Sequence, residues 1–207
     1  FTKQLKGAKD IIYKQSLSDD EIKKVITLFQ ENNFIDSEKL ILELINKNPN
    51  LPILDNIYGA ILSKLDSEKA KLYFNAAISK DPNFFNAYYN LGLIYLEKND
   101  YSEAIKYFDK ASYLGDAISQ HQLGEMVQQG LGTEANPELS FKYFQFAANS
   151  KYPPALWSLA IKYQHGDGVE KDFAKAINFF EASASEGYVQ SMVDLASIYV
   201  FGKDAPL

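Results

Sequence analysis

Leu123, Leu159 and Leu195 stand 36 residues apart, and their surroundings repeat with them. The same step carries Gly124 to Ala160 and Ala196, and Val127 to Tyr163 and Tyr199. It also carries Gly130 to Gly166 and Gly202, and Gly132 to Gly168, with Asp204 replacing the second glycine in the third unit. Upstream of Asp116 the step is 34: Leu91 maps to Ile57, Tyr95 to Ile61, Ala104 to Ala70, Phe108 to Phe74 and Ala111 to Ala77. A fixed period of roughly 20–50 residues marks supersecondary units that bury their apolar faces only against one another. Such a chain folds as a stack.

Each unit reads as two helices. In the clearest one, Tyr88, Leu91, Gly92 and Tyr95 share one helix, and Ala104, Phe108 and Ala111 share the next. The small residues let the two helices approach closely, and the aromatic rings fill the space above them. In the unit before it Pro82 ends the second helix, because proline lacks the amide donor a helix needs, and Tyr58 stands where Gly92 maps. A weaker unit precedes that one, with Val25, Leu28, Ile41, Leu44 and Pro49, and Ser18 with Glu21 predicts a capping box at its start. Residues 2–15, with Leu5, Ala8 and Ile12 on one side, predict a leading helix. In the 36-residue units, glycine at a helix C-terminus supplies the positive φ that a tight inter-helix loop requires.

The pattern over residues 85–111 resembles the tetratricopeptide repeat (TPR). The run Leu159-Ala160-x2-Tyr163-x2-Gly166-x-Gly168-Val169, followed by Asp172, Lys175-Ala176, Phe180 and Ala184, resembles the Sel1-like repeat. The unit before it departs at Ala135-Asn136-Pro137, where the family places a basic-acidic loop end. These resemblances imply an all-α, right-handed α-solenoid of antiparallel helix pairs. The expected organisation is a leading helix in 1–17, three TPR-like repeats over 18–116, and two and a half Sel1-like repeats over 117–207, continuous with the first block. The start at Phe1-Thr2-Lys3-Gln4 and the half repeat at the end lead us to expect a fragment of a longer protein.

Composition narrows the chemistry. The formal net charge is −6, every basic residue is lysine, and the acidic excess grows from none in residues 1–50 to four in 117–207. Displacing counterions from phosphate takes clustered Lys or Arg, so a nucleic-acid partner is not expected. No apolar run reaches the ~18 residues that span a bilayer. Without cysteine there is no disulfide or thiolate metal site, and the compartment is left open, with a lean toward the cytoplasm.

The two histidines, His121 and His165, lie on different repeats with no nucleophile motif beside them, and both read as structural. Gly130-x-Gly132 lacks the lysine and strand of a phosphate loop. Asp19 and Asp20 suit a helix N-terminus, where negative charge is favourable. Tyr143, Phe144, Phe146, Phe179 and Phe180 read as core packing of second helices. Neither catalysis, nor a metal, nor a cofactor is expected of these residues.

What remains is a binding surface. In stacked helix pairs the first helices line the concave side. Two positions before the small core residue stand Asn56, Asn90, Gln122, Ser158 and Asp194, and beside them Asp55, Tyr89, His121, Trp157 and Val193. A carboxamide both donates and accepts, which suits the backbone of an extended peptide. Asn56 and Asn90 resemble the asparagine ladder in TPR regions of protein O-glycosyltransferases and the groove asparagine of peptide-clamping TPR domains. The expected function is a scaffold holding a neutral or basic peptide segment through Asn56, Tyr89, Asn90, Gln122 and Trp157. The alternative is the substrate-recruiting arm of a larger transferase, of the glycosyltransferase or sulfotransferase type.

Overall fold

The computed structural model describes residues 18–202; the leading helix expected in 1–17 lies outside them. Among the described residues there are eleven helices and no strand. They are α1 (Asp19–Gln30), α2 (Phe34–Lys47), α3 (Pro52–Leu62), α4 (Ser67–Lys80), α5 (Phe85–Glu97), α6 (Tyr101–Tyr113), α7 (Ala117–Gln129), α8 (Pro137–Asn149), α9 (Pro153–His165), α10 (Phe173–Ser185) and α11 (Val189–Phe201). The chain falls into two compact units that divide within α5, between Ile94 and Tyr95. In the first, α1 to α4 pack in consecutive pairs; in the second, α6 to α11 do the same. This is the all-α solenoid class that the periods predict.

Side-chain caps set where the helices start. Ser18 and Glu21 form both halves of the capping box, with the three acids of the first turn facing the positive end of the dipole. Asn33, Asp66, Asp100, Asp116, Asn136 and Asp172 accept amide hydrogens at the starts of α2, α4, α6, α7, α8 and α10. Each such cap is worth about 1 kcal/mol.

In the pairs whose second helix is α4, α8 or α10 the contact is a ring set between small residues, whereas the buried residues of α2 are Ser37, Ile41 and Leu44. Ala70, Phe74 and Ala77 on α4 are at most 1% exposed, and so are Ser140, Phe144 and Ala147 on α8 and Ala176, Phe180 and Ser183 on α10. Across from the ring the first helix must be small. A Cβ on Gly59 would lie 2.7 Å from Phe74, and one on Gly124 would lie 2.5 Å from Phe144. One repeat later Ala160 packs in one cluster with Phe180. In the 34-residue unit the close approach is therefore made by Gly59, one residue beyond Tyr58.

One sequence reading needs correction here. Phe146 is 56% exposed, because two residues beyond Phe144 it points to the other side of α8. After Phe180 the fully buried small residue is Ser183, with Ala184 packed beside it on the same cluster; the Ser183 hydroxyl donates to the Pro153 carbonyl at 2.8 Å, which makes a serine acceptable in the core.

The paired glycines do more than turn the chain. Gly130 and Gly166 take left-handed conformations, with φ of 71° and 77°. Leu131 N–H reaches the Met126 carbonyl at 2.9 Å and Asp167 N–H reaches that of Lys162 at 3.1 Å, the long bond of a Schellman ending. The second glycine of each pair abuts the preceding repeat's second helix. A Cβ on Gly168 would lie 2.2 Å from the Pro137 carbonyl oxygen, and one on Gly132 2.7 Å from Tyr101 Cβ. Gly168→Ala is expected to cost at least about 2 kcal/mol, from left-handed strain plus a backbone clash, against about 1 for Gly166→Ala. Thermal unfolding of the two variants measures the difference.

The Schellman ending usually brings an apolar contact between these two positions, held in the first Sel1-like unit by Met126 and Leu131. In the next unit they are Lys162 and Asp167. The Lys162 side chain is 2% exposed, its Nζ lies 2.6 Å from Asp167 Oδ2, and it sits 5.9 Å from the Phe144 ring centroid. Burying an ion pair is often no better than burying an apolar pair, whereas stranding one buried charge is costly. Asp167→Leu alone should lower stability by about 3 kcal/mol, and Lys162→Met with Asp167→Leu should bring it back to within about 1 kcal/mol of the parent. Urea denaturation of the three proteins tests this.

Candidate partner-binding surface

The expected binding residues are on the first helices of their pairs, and most are bonded within the protein. In the first unit Asn90 Nδ2 donates to Asn56 Oδ1 at 2.8 Å, and both residues are 6% exposed. The carboxamides thus link α3 and α5 at the same position of successive repeats. Beside them Asp55 is buried in an ion pair with Lys80, and Tyr89 is half-buried on α5. The Tyr58 hydroxyl donates to Glu38, and burial with that carboxylate holds the phenol well above its usual range.

In the second unit the links run diagonally, from each row to the neighbouring row of the next repeat. His121 Nε2 lies 3.0 Å from Ser158 Oγ. The Trp157 indole N–H donates to Asp194 Oδ2 at 2.6 Å, and Gln190 donates to Asp194 Oδ1 at 2.9 Å. Asp194 is 3% exposed, Trp157 is half-buried, and its ring centroid lies 6.2 Å from that of Tyr188. Gln122, next to His121, is half-buried.

Around His121 the side chains of α7 and α9 form a polar cluster against aromatic walls. The imidazole lies 5.2 Å from the Phe144 ring and edge-on to Tyr152 at 5.5 Å, with Glu125 Oε2 3.9 Å from Nδ1. Burial pushes His121 down to about 4 and pushes Glu125 up. Tyr152 is pushed up to about 12, first by burial and then by the charge of Glu125. Ser158 has one hydroxyl hydrogen, and the Pro154 carbonyl 3.0 Å away takes it in the manner of serines inside helices. Ser158 therefore accepts from His121 Nε2–H, and Nδ1 turns its lone pair toward Glu125.

A serine, a histidine and a glutamate in line invite comparison with acyl-transfer machinery. Ser158 sits inside α9, where backbone amides are engaged in the helix and are not available to hold an oxyanion. Its hydrogen is already directed at Pro154, away from the imidazole. The arrangement holds helices together rather than activating a nucleophile. Among the described residues no group of three His, Asp or Glu side chains is placed to hold a metal ion, and no helix is long and apolar enough to cross a membrane.

The buried imidazole links folding to pH. Above 6.5 it is neutral in both states; as pH falls from 6.5 toward 4, only the unfolded chain takes up the proton. Its contribution is thus complete above 6.5 and is lost across that window, by roughly 3 kcal/mol at most. Glu125 and Asp116, both raised by burial, act in the opposite sense. His121→Gln should therefore be less destabilised than the parent between pH 6.5 and 4.5, as read from urea midpoints.

Glu125 and the buried Asp194 are the residues whose roles sequence reasoning missed. The i, i+4 spacing of His121 and Glu125 puts both on one face of α7, and that signal was present. The 37-residue step linking Trp157 to Asp194 was hidden, because the period directs attention to equivalent rather than diagonal positions.

These helix pairs, closed by rings against glycine or alanine, define a helical-repeat protein of the α-solenoid class. Residues 73–106 match the tetratricopeptide repeat, and residues 117–152 and 153–188 each match the Sel1 repeat. The chain carries both repeat types in that order. Over 91 residues it is 34% identical to protein sel-1 homolog 2 of Homo sapiens, covering 43% of this chain and 13% of that one. Over 90 residues it is 32% identical to the ERAD-associated E3 ubiquitin-protein ligase component HRD3B of Arabidopsis thaliana, covering 43% and 14%. The chain spans 10% to 29% of the first curated relatives it matches. Among solved structures it is similar to a Sel1 repeat protein from Oxalobacter formigenes, with a TM-score of 0.71 over 88% of this chain and 77% of that one. At 23% identity that likeness is one of fold.

Proposed function

We propose that this chain is a protein-interaction scaffold whose first helices carry the partner-binding surface on their concave side. Asn56, Tyr89 and Asn90 are its residues in the first unit, and Gln122 and Trp157 in the second. In this reading the TPR-like block ends at Asp116 and the Sel1-like block begins at Ala117. The observation that carries the proposal is the lateral bonding of these side chains. Asn56 with Asn90, and Trp157 with Asp194, are held in place before any partner arrives, so little ordering entropy opposes binding. Half-buried Trp157 has the size and rigidity of the residues that dominate binding energy at interfaces. The net charge of −6 favours a neutral or basic segment, through steering more than through raw affinity. A relative named as a component of an E3 ubiquitin-protein ligase fits a chain that serves an assembly.

The test replaces Asn56, Asn90 and Gln122 together by alanine. Removing both members of the Asn pair avoids leaving one buried carboxamide without its partner. Partner capture should weaken at least about tenfold, or 1.4 kcal/mol, with helicity unchanged by circular dichroism. Unchanged capture by a fully helical variant would remove the first-helix row from the binding surface. Trp157 is the single tryptophan of the chain, so its emission reports directly on occupancy beside it.

A further inference from the structure

His121 Nδ1 and Glu125 Oε2 face each other across 3.9 Å. Both are acceptors: the imidazole is neutral, with its hydrogen on Nε2 directed to Ser158. Two acceptors opposed in this way lack a donor between them. His121 is more than nine-tenths buried, so water reaches its side of the gap poorly, whereas the Glu125 side chain is 43% exposed and opens the gap to solvent. Among the described residues no lysine forms an ion pair with Glu125. An N–H donor set beside the pair, off the line joining the two atoms, can reach each within the 2.7–3.2 Å of an ordinary hydrogen bond.

We propose that this gap receives the ammonium group of a lysine side chain from the bound partner segment, an assignment that rests on the scaffold reading above. The walls suit such a guest. Tyr152 lies edge-on to His121 at 5.5 Å, and the charge of Glu125 adds to burial in raising the phenols of both Tyr152 and Tyr188. Trp157 adjoins Tyr188 at 6.2 Å. An ammonium entering there exchanges water for a carboxylate and an imidazole lone pair, and a hydrogen bond to an ionised acceptor is about twice as strong as one between neutral groups. The pair is not a requirement of the fold. One repeat on, its positions are Trp157 and Ile161, and two repeats on they are Val193 and Ser197.

The experiment titrates the 207-residue protein at pH 7 with the blocked pentapeptide Gly-Gly-Lys-Gly-Gly and with the same peptide carrying norleucine in place of lysine. The His121 ring resonances and the Trp157 emission are the readouts. The lysine peptide should shift the His121 signals and the norleucine peptide should not. Glu125→Gln should weaken the lysine peptide at least fivefold, whereas Glu134→Gln, an equal change of net charge at an exposed loop residue, should leave it unchanged. Equal response to both peptides overturns the proposal, as does equal weakening by the two variants or silence at His121. Should Glu125→Gln fail to fold, the lysine–norleucine contrast on the parent protein decides. Loss of partner capture in the Asn56, Asn90, Gln122 variant, with His121 silent toward lysine, would keep the scaffold and remove the ammonium site.

Discussion

A phenylalanine ring set against a glycine or an alanine holds three of the helix pairs together. Phe74 on Gly59, Phe144 on Gly124 and Phe180 with Ala160 are one contact made three times. The ring fixes how close the helices come, and closeness brings the remaining apolar side chains into van der Waals reach. A ring of this size contributes about 3–5 kcal/mol relative to alanine, so the pair, not the single helix, is the unit of stability. Gly168 against Pro137 and Gly132 against Tyr101 then fix one pair against the next.

With second helices committed to the rings, the first helices are left to carry polar and aromatic groups. Asn56 with Asn90, His121 with Ser158 and Trp157 with Asp194 run from repeat to repeat on these helices. Each bond satisfies a buried group that would otherwise lose its water at a cost of about 1–3 kcal/mol. In the scaffold reading proposed above, the same bonds preset the partner-binding surface. At Ser158 the hydroxyl hydrogen is directed to the Pro154 carbonyl, away from His121.

Much of this was legible in the residues. The capping box at Ser18, the small–aromatic–small positions and the period change near Asp116 each follow from local rules, and the structure bears out the cap and the buried positions. Less was legible where a rule admits two solutions. Glycine one residue beyond Tyr58 accommodates Phe74 as well as a glycine at Tyr58 would have. Ser183 stands where Ala77 and Ala147 stand in other repeats because a carbonyl lies within reach of its hydroxyl. Phe146 was misplaced because its aromatic character outweighed its position on the helix circumference.

Periodicity, caps and glycine placement are properties of neighbours along the chain, so the sequence by itself determined the helix pairs and their two repeat types. Which polar groups meet across repeats depends on distances of a few ångström between residues 34 or 37 apart, and no local pattern encodes those distances. Only the tertiary structure could show that Asn56 and Asn90 bond to each other, and that Lys162 is buried against Asp167 where its repeat partner is Met126. It alone set His121 beside the half-exposed Glu125, because burial, which lowers the one and raises the other, is a property of the packed helices.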